Sequence, residues 1–342
     1  MEKPKPRLVL IGPFPEPAGG VSIHLARLAS GLETRGYTVR RIDESPMRKR
    51  QVFNLRSLNL WAYLRTVLSC DVAHVQSCVT SLRCFHLFFC WLLRLKVVVT
   101  VHTLRLSGWK LWVNRLFLRF ADEIVLVDPN TDRVLALGKS RVLPAFLPPV
   151  GPSSPLPMEV QRFIARQRAQ GRSLLCANAS KLIAHDGHDL YGLDLCVDLV
   201  HSLIRDYGIP MSFVYIVASD ASGNALYERA LHRIRELSLE DHFLLFNGTV
   251  DFAAVIRLSD VVLRPTNTDA DALTVREAIY MGKPVIASDV IGRPPGTILF
   301  RNRSLPSLIE KTVEVLQRRR TGTPICQEID YLDPYVKLYQ CR

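Results

Sequence analysis

The opening forty or so residues restrict the fold more than any other part of the chain. Arg7 to Ile11 is a short apolar run that ends in Gly12-Pro13, and a loop rich in Pro and Gly follows from Pro13 to Gly20. The next stretch, "VSIHLARLASGLETRG", repeats its apolar residues Val21, Leu25, Leu28, Ala29 and Leu32 at three- and four-residue spacing, which predicts a helix with one buried face. Gly36 stops that helix, and Tyr37 to Ile42 returns as a strand. Strand, loop, helix and strand in about 40 residues is the start of an open parallel sheet of the Rossmann-like kind.

The alternation runs on. Asp71 to Val75, "KVVVTVH" (Lys96 to His102) and Ile124 to Val127 are strand-like, the second β-branched enough for a buried central strand. Helical stretches lie around Leu60 to Leu68, Leu82 to Leu95 and Leu111 to Phe120. At "LPAFLPPVGPSSPLP" (143 to 157) prolines break every period, and a second α/β series begins beyond them. Strands are expected at 174–177, 212–218, 243–247, 261–264 and 284–288, with helices between, a late helix over 306–318 and a short one over 331–339. A length of 342 residues suits two cores better than one. The expected organisation is an N-terminal Rossmann-like domain over 1–148 and a linker over 149–157. A C-terminal Rossmann-like domain over 158–328 follows, and a segment over 329–342 returns to the N-domain. The two domains would face each other across a cleft, where ligands of such sheets bind.

Charge divides the same way. Residues 1 to 120 hold 19 Lys and Arg against 6 Asp and Glu, a surplus that accounts for the whole net charge of +12. A basic N-domain fits an anionic membrane surface or anionic substrate, with Arg48, Lys49, Arg50 and the amphipathic Leu82 to Leu95 as its contact residues. Nucleic acid is not expected, because no aromatic-basic motif or helix-turn-helix signature accompanies the charge. The longest strongly apolar run, Leu87 to Leu93, is too short to span a bilayer. No secretory signal is read at the N-terminus. The eight cysteines show neither CxxC nor zinc spacing, so reduced, structural thiols in a cytoplasmic protein are expected.

Several short stretches could carry chemistry, each beside a plainer reading. Gly19-Gly20 lets backbone approach a ligand where a helix start favours an anion, or is an ordinary strand-to-helix turn. His102 ends a strand at the edge where parallel sheets put their chemistry, as a hydroxyl partner or acid-base group, or as a satisfied strand-end histidine. Lys181 lies just past a strand, placed to meet a phosphate. His185 and His188 flank Asp186-Gly187 and read as a polar turn rather than a metal site. In "RPTNTDADALTVREAIYMGKPVIASDV" (264 to 290), Thr274-x-x-Glu277 matches a capping box. Asp269 has no such local explanation. Backbone amides from Ala272 to Val275, around Leu273 and Thr274, would cradle a diphosphate, and the two flanking carboxylates would hold sugar hydroxyls. That geometry suits a nucleotide sugar.

The pattern as a whole resembles the retaining GT-B glycosyltransferases, specifically glycosyltransferase family 4, over essentially the full chain. "GPFPEPAGGVSIHLARLASGLETRGYTV" resembles the family's Gly-Gly loop and first helix, "VVVTVHTL" its strand ending in histidine, and "RVLPAFLPP" the stretch before its linker. Asp269-x7-Glu277 with "EAIYMGKPVIASDV" is similar to the family's E-x7-E motif and the run after it. The resemblance implies that Glu277 holds the nucleotide ribose, Asp269 contacts the donor sugar, and amides near Leu273 and Thr274 meet the diphosphate. Gly19 and Gly20 would face it from the other domain, with His102 near the transferred sugar and Lys181 on the phosphates. The implied reaction is front-face transfer with retention, without metal or cofactor, from a UDP- or GDP-type donor to a saccharide or lipid-linked acceptor. Bacterial surface polysaccharide or glycolipid synthesis at the inner face of the membrane is the implied setting. Two departures stand out: Asp269 replaces the usual Glu, and Asp186 in "HDG" stands where a basic residue is expected. A GT-B protein that binds nucleotide sugar or membrane without transfer is the alternative.

Overall fold

The computed structural model describes residues 4–15, 19–46, 52–102, 108–127, 131, 135, 138–149, 154–269, 272–318 and 330–340. The chain divides into two compact units, one formed by residues 1–150 with 329–342 and the other by residues 151–328.

In the first unit β1 (Leu8–Gly12) is followed by α1 (Gly20–Thr34), β2 (Val39–Asp43), β3 (Phe53–Asn54), α2 (Leu60–Leu68), β4 (Val72–Val75), α3 (Thr80–Leu92), β5 (Lys96–Val101), α4 (Gly108–Leu118), β6 (Glu123–Leu126) and β7 (Ser140–Val142). The strands form one parallel sheet in the order β3-β2-β1-β4-β5-β6-β7. Side chains alternate across it. Leu8 and Leu10 pack with Leu25, Leu28 and Leu32 of α1, while Val9 and Ile11 pack with Tyr63, Leu87 and Leu118 from α2, α3 and α4. Both faces are covered, which is why β1 and β5 read as continuous apolar runs rather than alternating ones. The C-terminal helix Asp333–Tyr339 adds Tyr335, Leu338 and Tyr339 to the α1 side of this core.

The second unit starts with α5 (Met158–Ala169) and β8 (Ser173–Ala179). There follow β9 (Ala184–His185), β10 (His188–Asp189), α6 (Leu193–Arg205), β11 (Met211–Val217), α7 (Ala225–Glu236), β12 (Phe243–Asn247), α8 (Phe252–Leu258), β13 (Val261–Arg264), α9 (Leu273–Tyr280), β14 (Val285–Ser288), β15 (Ile298–Phe300) and α10 (Leu305–Arg318). Its parallel sheet has the order β12-β11-β8-β13-β14-β15. Helices α6, α7 and α10 cover one face, and α5, α8 and α9 the other. In each sheet the strand order reverses beside the first strand, between β1 and β4 and between β8 and β13. The carboxyl ends of those strands are where an open α/β sheet receives a ligand.

Edge strands β3, β7 and β15 were not expected; at two or three residues they carry no period to read. Within the proline-rich stretch, Phe146 and Leu147 are buried with the first unit's core elements and Leu156 with the second's. Cys70, Cys84, Cys90, Cys176 and Cys196 are free and buried, and Cys78 is free and exposed. Cys326 and Cys341 lie outside the described residues.

Gly192, the residue before α6, holds φ at 68°, and a Cβ there would sit 2.3 Å from the carbonyl oxygen of Pro265. Both backbone conformation and space demand glycine. Gly192→Ala is expected to cost about 2–4 kcal/mol, seen as a lower urea midpoint at unchanged slope.

Candidate active site

The second unit gathers its candidate residues at the carboxyl ends of β8 and β13. β8 ends at Ala179, and Lys181 stands two residues on, exposed and without an ion-pair partner among the described residues. From the neighbouring strand, Arg264 is the last residue of β13, and the loop after it carries Thr266 and Asp269. The Asp269 carboxylate accepts from Arg264 Nε (3.0 Å) and Nη2 (2.9 Å), from Thr266 Oγ1 (3.0 Å) and from Arg293 Nη1 (2.7 Å). All three charged side chains are largely buried, with Arg293 only 2% exposed and Asp269 7%. Burial alone would raise the Asp269 carboxyl, but the two guanidiniums outweigh it and hold the pKa down at about 2. Asp269 is therefore a permanent anion, and no acid-base role is open to it near neutral pH. What had no local explanation in sequence is the centre of an Arg-Asp-Arg cluster.

Arg264 also lies over the ring of Tyr191, 5.1 Å from its centroid, and Tyr191 shares a 2.8 Å hydrogen bond with Ser180. The cluster is thereby tied to the β8 edge beside Lys181. Neither arginine was singled out from sequence. Arg264 left a legible signal, as the one charge in the otherwise apolar strand "VVLR". Arg293 left none, since it follows β14 in a Gly-Pro loop.

The capping-box expectation at Thr274 needs correction. Helix α9 begins at Leu273 with Ala272 at the cap position, so Thr274 is already inside the first turn. Its hydroxyl donates to Asn178 Oδ1 at 3.0 Å, joining the α9 start to β8. The local match to S/T-x-x-E lost to a partner 96 residues away. Ala272 has no side-chain oxygen to occupy the amides of Leu273 and Thr274. Glu277, one turn further along α9, is buried at 4% exposure.

Asp186 and Gly187 form the two-residue turn between β9 and β10, with φ of 50° and 77°. Both central residues lie in the left-handed region, the conformation for which Asp-Gly is a preferred hairpin pair. The backbone thus accounts for an aspartate here, and its side chain is exposed beside His185 at 3.4 Å. His185 and His188 face each other across this hairpin. Among the described residues no group of three or more His, Cys, Asp or Glu side chains is placed to hold a metal ion.

In the first unit Gly19 and Gly20 stand exposed at the start of α1, where Ser22 Oγ accepts from the Gly19 amide at 2.8 Å. His102 directly follows β5, and its Nε2 donates to Gln76 Oε1 at 2.8 Å. Gln76 Nε2 in turn donates to His74 Nε2 (3.3 Å), which also meets Thr100 Oγ1 at 2.8 Å. His74 Nδ1 completes the chain by donating to Tyr339 Oη at 2.6 Å. This order of donors leaves the His102 Nδ1 lone pair as the acceptor. Burial pushes His102 down to about 4 and His74 to about 3. Near neutral pH His102 is an uncharged imidazole that can accept a hydroxyl hydrogen and cannot serve as a ready acid. Arg48, Lys49 and Arg50 lie outside the described residues.

Residues 186–318 match the family model described as "Glycosyl transferases group 1", so the second unit carries a group 1 glycosyltransferase domain. The matched segment includes Asp269, Thr274 and Glu277 and stops short of Lys181. No curated protein matches the chain by sequence. Among solved structures, Anabaena Alr3699/HepE in complex with UDP-glucose is 13% identical, with a TM-score of 0.64 over 97% of this chain and 95% of that one. A glycosyltransferase from Rickettsia africae ESF-5 is 15% identical, with a TM-score of 0.66 over 97% and 93%. WaaG, a glycosyltransferase involved in lipopolysaccharide biosynthesis, is 14% identical, with a TM-score of 0.54 over 97% and 94%. These likenesses establish the fold, the GT-B architecture of parallel-sheet α/β units.

Proposed function

We propose that the protein is a retaining, metal-independent glycosyltransferase of the family 4 kind, taking its sugar from a UDP- or GDP-type donor. One coincidence carries the reading. The segment matching the group 1 glycosyltransferase model contains the Asp269 cluster after β13, the start of α9 and the buried Glu277. In this reading the diphosphate lies on the amides of Leu273 and Thr274 with Lys181 as its counter-charge. Gly19 and Gly20 contribute exposed backbone to donor binding. Glu277 accepts from the ribose hydroxyls. Asp269 meets the donor sugar as an ionised acceptor while fixing Arg264 and Arg293, whose charges offset its own near a dianionic ligand.

The bond between the anomeric carbon and the diphosphate oxygen breaks, and the acceptor oxygen bonds to that carbon on the same face. The acceptor's proton passes to the departing phosphate oxygen, so a nucleoside diphosphate leaves. His102, neutral and held by Gln76, receives a hydroxyl hydrogen of the transferred sugar at Nδ1. The acceptor is a saccharide or lipid-linked saccharide handled by the basic first unit. The work would belong to surface polysaccharide or glycolipid synthesis, by a cytoplasmic protein peripheral to the inner face of the membrane. The lipopolysaccharide role of WaaG is in line with that setting. No helix among the described residues is long and apolar enough to cross a membrane.

A panel of UDP- and GDP-sugars tests the reading through donor-induced thermal shift, with hydrolysis and transfer followed on the donor that binds. Glu277→Ala is expected to weaken that donor by roughly 10- to 100-fold, the worth of a charge-assisted hydrogen bond. A donor bound but neither hydrolysed nor transferred would favour the non-transferring GT-B alternative. Stability unmoved by every nucleotide sugar would sink both.

A further inference from the structure

The three helices α2, α3 and α4 cover one face of the first unit's sheet, and each also turns large apolar side chains outward. Trp61 on α2 is 75% exposed, Trp91 on α3 49%, and Trp109 and Trp112 on α4 72% and 65%. These are all four tryptophans of the protein. Leu60, Leu68, Phe88, Leu92 and Leu116 on the same helices are exposed with them. The helices are in contact through aromatic pairs: Tyr63 with Phe85 at 5.6 Å, and Trp91 with Phe120, just past α4, at 4.7 Å. Monomers rarely show such a patch to water without a partner for it.

Charge decides which partner. From Ser45 to Ala121 the sequence holds twelve Lys and Arg and a single acid, Asp71, which is already paired with Arg7 at 2.8 Å. Arg65, Arg94, Lys110 and Arg119 are exposed among the tryptophans and pair with no carboxylate among the described residues. Indole rings interleaved with unpaired cations suit the interface of an anionic bilayer, where the ring sits at headgroup level and the cation meets lipid phosphate. An apolar pocket of about 250 Å³ opens at the same place, lined mainly by Leu55, Leu58, Leu60, Tyr63, Leu82 and Phe85. Its wall offers a hydrocarbon segment contact and offers phosphate none.

We propose that the outer face of α2, α3 and α4 inserts its four tryptophans into the headgroup region of an anionic membrane, and that this face, not the Arg48–Arg50 run, is the principal anchor. The inference rests on the membrane setting proposed above and is independent of the transfer reaction. Tryptophan fluorescence of the full chain reads this face alone, since there is no other tryptophan to contribute. With phosphatidylglycerol-containing vesicles the emission shifts to the blue, lipids brominated in the acyl chain quench it, and part of the binding survives high salt. Replacing all four tryptophans by serine leaves every charge in place and lowers vesicle partitioning by about tenfold or more. If that variant fails to fold, quenching of the unaltered protein decides alone.

Flotation with unshifted, unquenched emission, abolished by neutralising Arg48, Lys49 and Arg50, overturns the inference while leaving the membrane setting intact. Absence of flotation on anionic vesicles defeats both. An emission change with RNA or a protein partner but not with vesicles assigns the face elsewhere and overturns it too.

Discussion

Asp269→Ala is expected to lower the stability of the second unit by about 3–5 kcal/mol, the usual consequence of stripping one partner from a buried charge cluster. The loss is large because of what stays behind. Arg264 and Arg293 both point at the vacated position, both are mostly buried, and neither has a second carboxylate to turn to among the described residues. Arg293 would keep only weaker contacts with Ser288 and Thr266 at 3.2–3.3 Å. Asp269→Asn keeps hydrogen-bond acceptance but not charge, and should fall between parent and alanine. Urea unfolding of the three proteins checks the order; an alanine variant within about 1 kcal/mol of the parent would mean that solvent already screens the arginines. The same anchoring sets an acid limit. A carboxyl lowered to about 2 contributes fully above the ordinary value near 4 and loses its contribution, about 2.5 kcal/mol, as pH falls from 4 toward 2.

The first unit is expected to fail in acid sooner. His74 and His102 are held neutral down to about 3 and about 4, burial being the main cause, and His24 is lowered well below its ordinary value for the same reason. Unfolded, these imidazoles take up protons near pH 6.5. Between 6.5 and 4 the unfolded chain thus binds more protons than the folded one, and stability falls with falling pH. At pH 5 the two groups together remove about 4 kcal/mol, a large part of what a domain commonly has. Hydrogen exchange followed peptide by peptide should show β4 and β5 losing protection between pH 6.5 and 5 while β8 and β11 keep theirs. His74→Gln should move that loss to lower pH. Equal protection in both units at pH 5 would contradict the assignment.

These two clusters also mark where sequence reading runs out. Strands and helices were legible because each obeys a local rule: continuous apolar residues for a strand buried on both sides, and three- and four-residue spacing for a helix with one buried face. The positions of Lys181 and Asp269 just past strand ends, and of Glu277 in the helix that follows, came from that alternation. Their partners did not. Arg293 reaches Asp269 across 24 residues, and Tyr339 reaches His74 across 265. No period or spacing connects such residues before the sheets exist. Thr274 shows the opposite failure, a local motif satisfied in letters while its hydroxyl served Asn178. At Asp186 the letter looked like a lost lysine, and the left-handed turn gives it a reason unrelated to phosphate.

The hydrogen bond from His74 to Tyr339 has a further consequence for the order in which the molecule is completed. The first unit is interrupted in sequence, and residues 151–328 belong entirely to the other. During synthesis the second unit is delivered whole before the helix Asp333–Tyr339 emerges. Until then His74 lacks its tyrosine, and the α1 side of the core lacks Tyr335 and Leu338. The unit that is first in the chain is the one finished last, and its histidine relay gains its Tyr339 link only when the C-terminal helix arrives.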